Sequence, residues 1–195
     1  MNLRDYRNLF VVCSLGLSVL AFTPVLYGFV PLFVGESFSE LSILGPGHLA
    51  KDYPFNVRAN VEESLYVAVG NHMGESTYYR VNVKLRNQTQ SFASDTVPSM
   101  LDPLYEFSVF LLNGEKWEKL IRFKFLEISR EVNSVRVRKL MVNDVIFIVD
   151  YSSEWDSENN GFYFQLFFEL WLYDITLRSI KYNERSVGIW LNMTV

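Results

Sequence analysis

The chain has 195 residues, 49% of them apolar and 16% aromatic, enough to bury the core of one domain beside an anchor, or of two small domains. Its formal net charge is −4 with 21% charged residues, a balance that argues against a nucleic-acid or other polyanion partner. A single cysteine, Cys13, excludes a disulfide framework within the chain, and two histidines, His48 and His72, are too few for most histidine-rich metal or relay sites.

Residues 9–34 carry no charged side chain. A helix needs roughly 20 apolar residues to cross the hydrocarbon core, so this run predicts a transmembrane anchor. Pro24, Gly28 and Pro31 are tolerated in a bilayer and mark the outer end of the span. A cleaved signal peptide has a shorter apolar core, of about 7–15 residues, and a small-x-small cleavage site, which Ala21-Phe22-Thr23 does not supply. Arg4 and Arg7 precede the run, while Glu36 and Glu40 follow it with no base before Lys51. Lysine and arginine favour the cytoplasmic side, which predicts residues 1–8 inside and 36–195 outside, in a single-pass topology at the cell membrane. The sequons at Asn87 and Asn192, candidate N-glycosylation sites, agree with an extracytoplasmic location.

Beyond the run the apolar period becomes two, the pattern of half-buried strands. Tyr79, Val81, Val83 and Leu85 alternate with Arg80, Asn82, Lys84 and Arg86; Leu65, Val67 and Val69 precede them across a turn at Gly70–Glu75, which predicts a hairpin. Further strands are expected at 38–44, 55–60, 104–113, 122–128, 135–142, 145–150, 162–173 and 186–194, with breakers such as Gly45-Pro46-Gly47, Asp102-Pro103, Asn113-Gly114 and Asn159-Asn160-Gly161 between them. Residues 115–131 also fit a helix, and the alternation Phe123-Lys124-Phe125 favours a strand. Short strands at modest spacing predict a mainly β fold, an antiparallel β-sandwich of immunoglobulin-like type behind one N-terminal transmembrane helix.

The segments FSELSILGPG (38–47), DYPFNV (52–57), VAVGNHMGESTYYRVNVKL (67–85), LNGEKWEKLIRFKF (112–125), FQLFFELWLYD (164–174) and SVGIWLNMTV (186–195) carry a resemblance. The ectodomain resembles the C-terminal domain of an archaeal membrane-protein family known as domain of unknown function 1616, most specifically at the Asn71-His72 corner and the tyrosine-valine strand after it. The resemblance implies an archaeal cell, a membrane anchor and an extracytoplasmic β-sandwich, and it implies no activity. Two departures from the family pattern are one N-terminal helix where members often have several, and an apparent inserted hairpin at 129–161.

Four groups of residues are candidates for function. Asp150, Glu154, Asp156 and Glu158, before Asn159-Asn160-Gly161, read either as a weak Ca²⁺ site or as a solvated hairpin tip; the spacing fails the EF-hand pattern, with Phe167 where the bidentate glutamate belongs. Residues 116–139 carry eight bases against three acids, suited to lipid headgroups or an acidic partner, or to a plain solvated face. In 162–173 the even positions are wholly apolar and suit the core. The odd ones, with Tyr163, Phe167, Trp171 and Tyr173, continued by Trp190, mix aromatic and polar groups that would seat a protein partner or stack on sugars. The competing explanation is a cross-strand aromatic ladder, or cover from another segment. His72 with Glu75 reads as acid–base chemistry or a metal site, or as a structural histidine hydrogen-bonded to the local backbone of the turn.

No nucleophile elbow, phosphate loop or metal-ligand cluster is legible, which predicts a non-catalytic protein without cofactor or small-molecule substrate. The expected role is a protein-interaction module of the envelope whose partners are the bilayer and another envelope or membrane protein. Its alternatives are a glycan- or ion-binding module, or an accessory subunit of a membrane enzyme complex.

Overall fold

The computed structural model describes residues 6–7, 9–19, 36–94 and 96–194. The chain divides into two units, Met1–Ser37 and Phe38–Val195. In the first, residues 6–7 and 9–19 are helical and exposed, with Ser18 Oγ donating to the Ser14 carbonyl at 2.9 Å. Among the described residues no helix is long and apolar enough to cross a membrane. The span expected at 9–34 has its residues 20–34 outside the described ones.

The second unit is a curled sheet of ten strands among the described residues: β1 (Phe38–Leu44), β2 (Asn56–Val57), β3 (Glu62–His72), β4 (Thr77–Asn87), β5 (Tyr105–Leu111), β6 (Lys116–Arg130), β7 (Ser134–Val142), β8 (Val145–Asp156), β9 (Gly161–Asp174) and β10 (Ser179–Met193). It has two arms. One runs β1-β3-β6-β7-β8, the other β5-β4-β9-β10-β2, and they join where Trp155 and Asp156 of β8 pair with Phe162 and Gly161 of β9. Every pairing is antiparallel except β2 with β10. The ambiguous stretch 115–131 is strand, because Ile121, Phe123 and Phe125 of β6 alternate into the core while Leu120, Arg122 and Lys124 lie on the other face.

Both arms contribute to one core. Leu65, Val67, Ile121, Phe123, Val137 and Leu140 come from the first, and Val81, Val83, Leu166, Phe168, Leu170 and Leu191 from the second. The even positions of 162–173 supply that core as the alternation predicts. Each fully buried side chain of this size stabilises the fold by about 1.5–3 kcal/mol relative to exposure. The segment 129–161 holds β7, β8 and their turns between the end of β6 and the start of β9, and Val135, Val137, Leu140 and Val142 anchor it in the same core.

The expected hairpin across Gly70–Glu75 is corrected. β3 pairs with β1 and β6, β4 pairs with β5 and β9, and the turn carries the chain from one arm to the other. The cause is Asn71, which is fully buried. Its Nδ2 donates to the carbonyls of Glu75 (2.8 Å) and Leu111 (3.0 Å), and its Oδ1 accepts from the Met73 N–H (3.0 Å) and the Tyr79 hydroxyl (3.1 Å). A buried amide at the end of β3 that satisfies two groups of the turn and two of the second arm fixes a corner, and Gly74 completes it in the left-handed region (φ 82°).

The pairings give the unit two poles. Phe38, His72, Thr77, Leu111, Lys116, Asp174 and Ser179 start or end strands at the near pole, where the chain comes in. Asn87, Gly161, Asn192 and Asn56 gather at the far pole.

Candidate functional site: an aromatic cleft at the far pole

β9 is buried on both faces. Among its odd positions Tyr163, Gln165, Phe167 and Glu169 are all buried, which corrects the expectation that this side is open to a partner. The cover is the long connection between β4 and β5, residues 88–104, which lies across β4, β9 and β10 as a strap. Phe92 packs its ring against Phe167 at 5.2 Å, and Ala93 and Ser99 are buried beneath it. Glu169 Oε1 accepts the Ser99 N–H at 2.7 Å. Its Oε2 lies 2.9 Å from Lys84 Nζ, an electrostatic contact without hydrogen-bond alignment, and Lys84 donates to the Ser99 carbonyl at 2.9 Å. Lys84 and Glu169 are 3% and 0% exposed, so each would be an uncompensated charge without the other.

The five aromatic candidates therefore part company. Phe167 is covered. Trp171 is half-buried against Tyr182 at 5.6 Å, with Asn82 oriented to accept from its Nε1 at 3.2 Å. Tyr173 stands exposed at the near pole. Tyr163 and Trp190 come together at the far pole, where they line a cleft of about 480 Å³ with Phe55, Gln88, Asp156 and Asn159.

Each wall of the cleft is held from behind. β2 pairs in parallel with the end of β10 and so carries Phe55 to within 6.1 Å of the Tyr163 ring. The Arg86 guanidinium lies between Trp190 (4.9 Å) and Phe92 (5.2 Å), linking cleft to strap, and burial lowers its pKa. The floor is a turn built on Asp156. Its Oδ1 accepts the N–H groups of Glu158 (2.9 Å) and Asn159 (3.0 Å), and its Oδ2 accepts from Asn159 Nδ2 (2.8 Å) and Gln88 Nε2 (2.9 Å). The Asn159 side chain, then its backbone N–H, hold the Asp156 carboxyl below its ordinary range. Tyr163 closes the ring by donating to the Asn159 carbonyl at 2.7 Å.

The other candidates are placed elsewhere or spent. Asp150 takes a two-pronged ion pair with Arg136, one arm at 2.7 Å, and that guanidinium holds its carboxyl low. Glu154 and Glu158 are exposed, and among the described residues no three or more His, Cys, Asp or Glu are grouped to hold a metal ion. The bases of 116–139 largely meet acids: Lys116 with Glu40 (2.7 Å), Arg122 with Asp144 (2.7 Å), Lys139 with Glu127 (2.9 Å). His72 stacks on Phe38 at 4.7 Å and lies 3.3 Å from Glu40, so its carboxylate neighbour is Glu40 where sequence proximity pointed to Glu75. Both sequon amides are engaged: Asn87 Nδ2 donates to the Ser152 carbonyl (2.8 Å) and Asn192 Nδ2 to Asn56 Oδ1 (3.0 Å).

Gln88 and the strap escape a reading by periodicity, since they lie outside the expected strands, and Phe55 heads the expected strand 55–60 with nothing in its own run to place it beside β9. A signal did exist: Glu169 is a charge set within the largely apolar strand β9, and a loop of this length without strands of its own is uncommon unless it covers or binds something.

The family described as Domain of unknown function (DUF1616) matches residues 33–159. The chain belongs to this family. The DUF1616 match takes in β1 to β8 and the floor of the cleft, Phe55, Gln88, Asp156 and Asn159, and ends before β9, which supplies Tyr163, and β10, which supplies Trp190. It contains the Asn71 corner that carries the chain from one arm to the other. No curated protein matches the chain.

Proposed function

We propose that this DUF1616 protein is a membrane-anchored, non-catalytic interaction module of an archaeal cell envelope, with the far-pole cleft as the seat for a side chain of a protein partner. The observation that carries the reading is the state of the cleft's polar groups. Asp156 accepts four hydrogen bonds, Gln88 both donates to Asp156 and accepts from Ser153 (3.3 Å), and Tyr163 donates to Asn159. What remains facing outward is chiefly the aromatic surface of Phe55 and Trp190, 49% and 37% exposed. A glycan needs free donors and acceptors for its hydroxyls. An apolar or aromatic side chain needs a preformed apolar wall, and central aromatic anchors of this kind dominate protein interfaces. The Asp156 carboxylate is held ionised within a turn, which suits architecture more than proton transfer.

The uncharged run 9–34 supports the anchor, and the charge bias across it with the two sequons supports an N-terminus inside and the β-domain outside. The strand pairing supports an immunoglobulin-like sandwich: β4-β9-β10 form one layer, β1-β3-β6 the other, and the first segment is shared, with β1 on β3 and β2 on β10. On this reading β7–β8 is a hairpin inserted between the strands β6 and β9.

The test is a photo-crosslinking residue placed at Phe55 in the full chain, expressed in the cells that make it. A discrete adduct with one membrane or envelope protein, lost on Trp190→Ala while the chain still melts cooperatively within about 2–4 °C of the parent, is the expected result. An adduct no stronger than that from an exposed control position, Val132, overturns the proposal. Saturable binding of a soluble glycan at the cleft overturns it in favour of the second reading.

A further inference from the structure

The strap covers the middle of the outward face of β5-β4-β9-β10, but its near end is bare. Phe110 pairs with Tyr78 across β5 and β4, and Tyr173 follows Leu172, the partner of Tyr79, so the three rings form one row across three strands. Phe110 is 60% exposed, and the β9–β10 turn below the row adds Ile175 at 68% and Leu177 at 62%. Leu112, also exposed, continues the rim beyond β5. A soluble surface scatters such residues singly, and a contiguous apolar rim marks a contact.

The position of the rim names its occupant. β1 begins at Phe38, at this same pole, and the uncharged run ends at Val34. Four Cα steps reach at most about 14 Å, so a bilayer entered by the run lies within that distance of the pole. We infer that the near pole rests on the lipid bilayer through this rim, Tyr78, Phe110, Leu112, Tyr173, Ile175 and Leu177, as a second membrane contact separate from the anchor. The inference rests on the anchored reading proposed above. Tyrosine and phenylalanine suit the headgroup boundary, where an apolar body and a polar tip are both accommodated. Lys116 and Lys181 at this pole are each paired with a carboxylate, Glu40 and Asp174, both at 2.7 Å, while Arg178 stands exposed beside Leu177, so the contact is apolar insertion with one base placed to meet a headgroup phosphate. A weak contact suffices, since the tether supplies a high effective concentration.

The experiment uses the full chain with Cys13→Ser, reconstituted in neutral phosphatidylcholine vesicles and spin-labelled at Leu177→Cys or, as the far-pole control, at Val132→Cys. Power saturation with oxygen and a water-soluble nickel chelate reads the depth of each label. The expected result is a severalfold higher oxygen-to-nickel accessibility ratio at 177 than at 132, lost when Phe110→Ser and Ile175→Ser are added. Co-flotation with vesicles and a label at 177 as open to nickel as that at 132 overturns the rim contact and leaves the anchor standing. Failure to co-float overturns both. A label at 177 shielded from both reagents identifies a second protein on the rim, and also overturns the inference.

Discussion

Tyr163 and Tyr173 sit near opposite ends of β9, on the same side of the same strand, and their surroundings differ in every respect. At the far pole Tyr163 is buried, hydrogen-bonded to Asn159 and walled by Phe55 and Trp190. At the near pole Tyr173 stands 41% exposed beside Tyr78. Between them Phe167 and Glu169 are sealed under the strap. A strand's alternation therefore fixes which residues share a face, and what lies over that face is decided by a connection elsewhere in the chain.

The comparison is broken most severely at its middle. Glu169→Ala leaves Lys84 buried without its counter-charge and is expected to cost about 3–5 kcal/mol, read as a lowered denaturant midpoint. Combining it with Lys84→Met is expected to recover most of that loss, because the pair holds the strap in place more than it adds net stability. If the single variant melts like the parent, the strap is not seated as described. Next comes Phe167→Ala, expected to cost about 3–5 kcal/mol as a buried ring, against less than about 0.5 kcal/mol for Tyr173→Ser at the exposed end. Equal losses would show that the near pole is covered after all.

Trp190→Ala sharpens the far-pole side, with an expected cost of about 1 kcal/mol for a partly exposed ring and a much larger effect on partner crosslinking. The smallest effect is in pH. The Asp156 carboxyl titrates below its unfolded value of about 3.9, so its hydrogen bonds contribute fully above that pH and are lost as pH falls through the lower folded value. Amide exchange at Glu158 and Asn159 is expected to quicken in that acid window, while the near-pole turn at Asp174 responds through its own link to Lys181, which also holds that carboxyl low. Exchange at 158 and 159 unchanged through that window would mean Asp156 does not hold the turn.

Much of the strand content was legible because the core rows are regular: Tyr79-Val81-Val83-Leu85 and Phe164-Leu166-Phe168-Leu170 each read as one face, and each is. The pairing was not. Gly70–Glu75 looks like a hairpin turn from composition, and only the buried Asn71 amide, bonded across to Leu111 and Tyr79, turns it into a crossing between arms. Of the aromatic site, Tyr163 and Trp190 were named and do meet. Phe55 and Gln88 were missed, as they reach the cleft through a two-residue strand and a strap whose path depends on tertiary contacts.

The parallel pairing of β2 with the end of β10 also has a consequence in time. Asn56 waits for Asn192, a partner 136 residues further along the chain. At a synthesis rate of about 5–20 residues per second, that interval is about 7–27 s on the ribosome. Until Asn192 and Met193 emerge, Val57 has no strand to pair with. Long-range closure of this kind folds slowly and late. The weak point of the domain is thus kinetic: until the end of β10 is in place, β2 stays unpaired and Val57, fully buried in the finished fold, lies open.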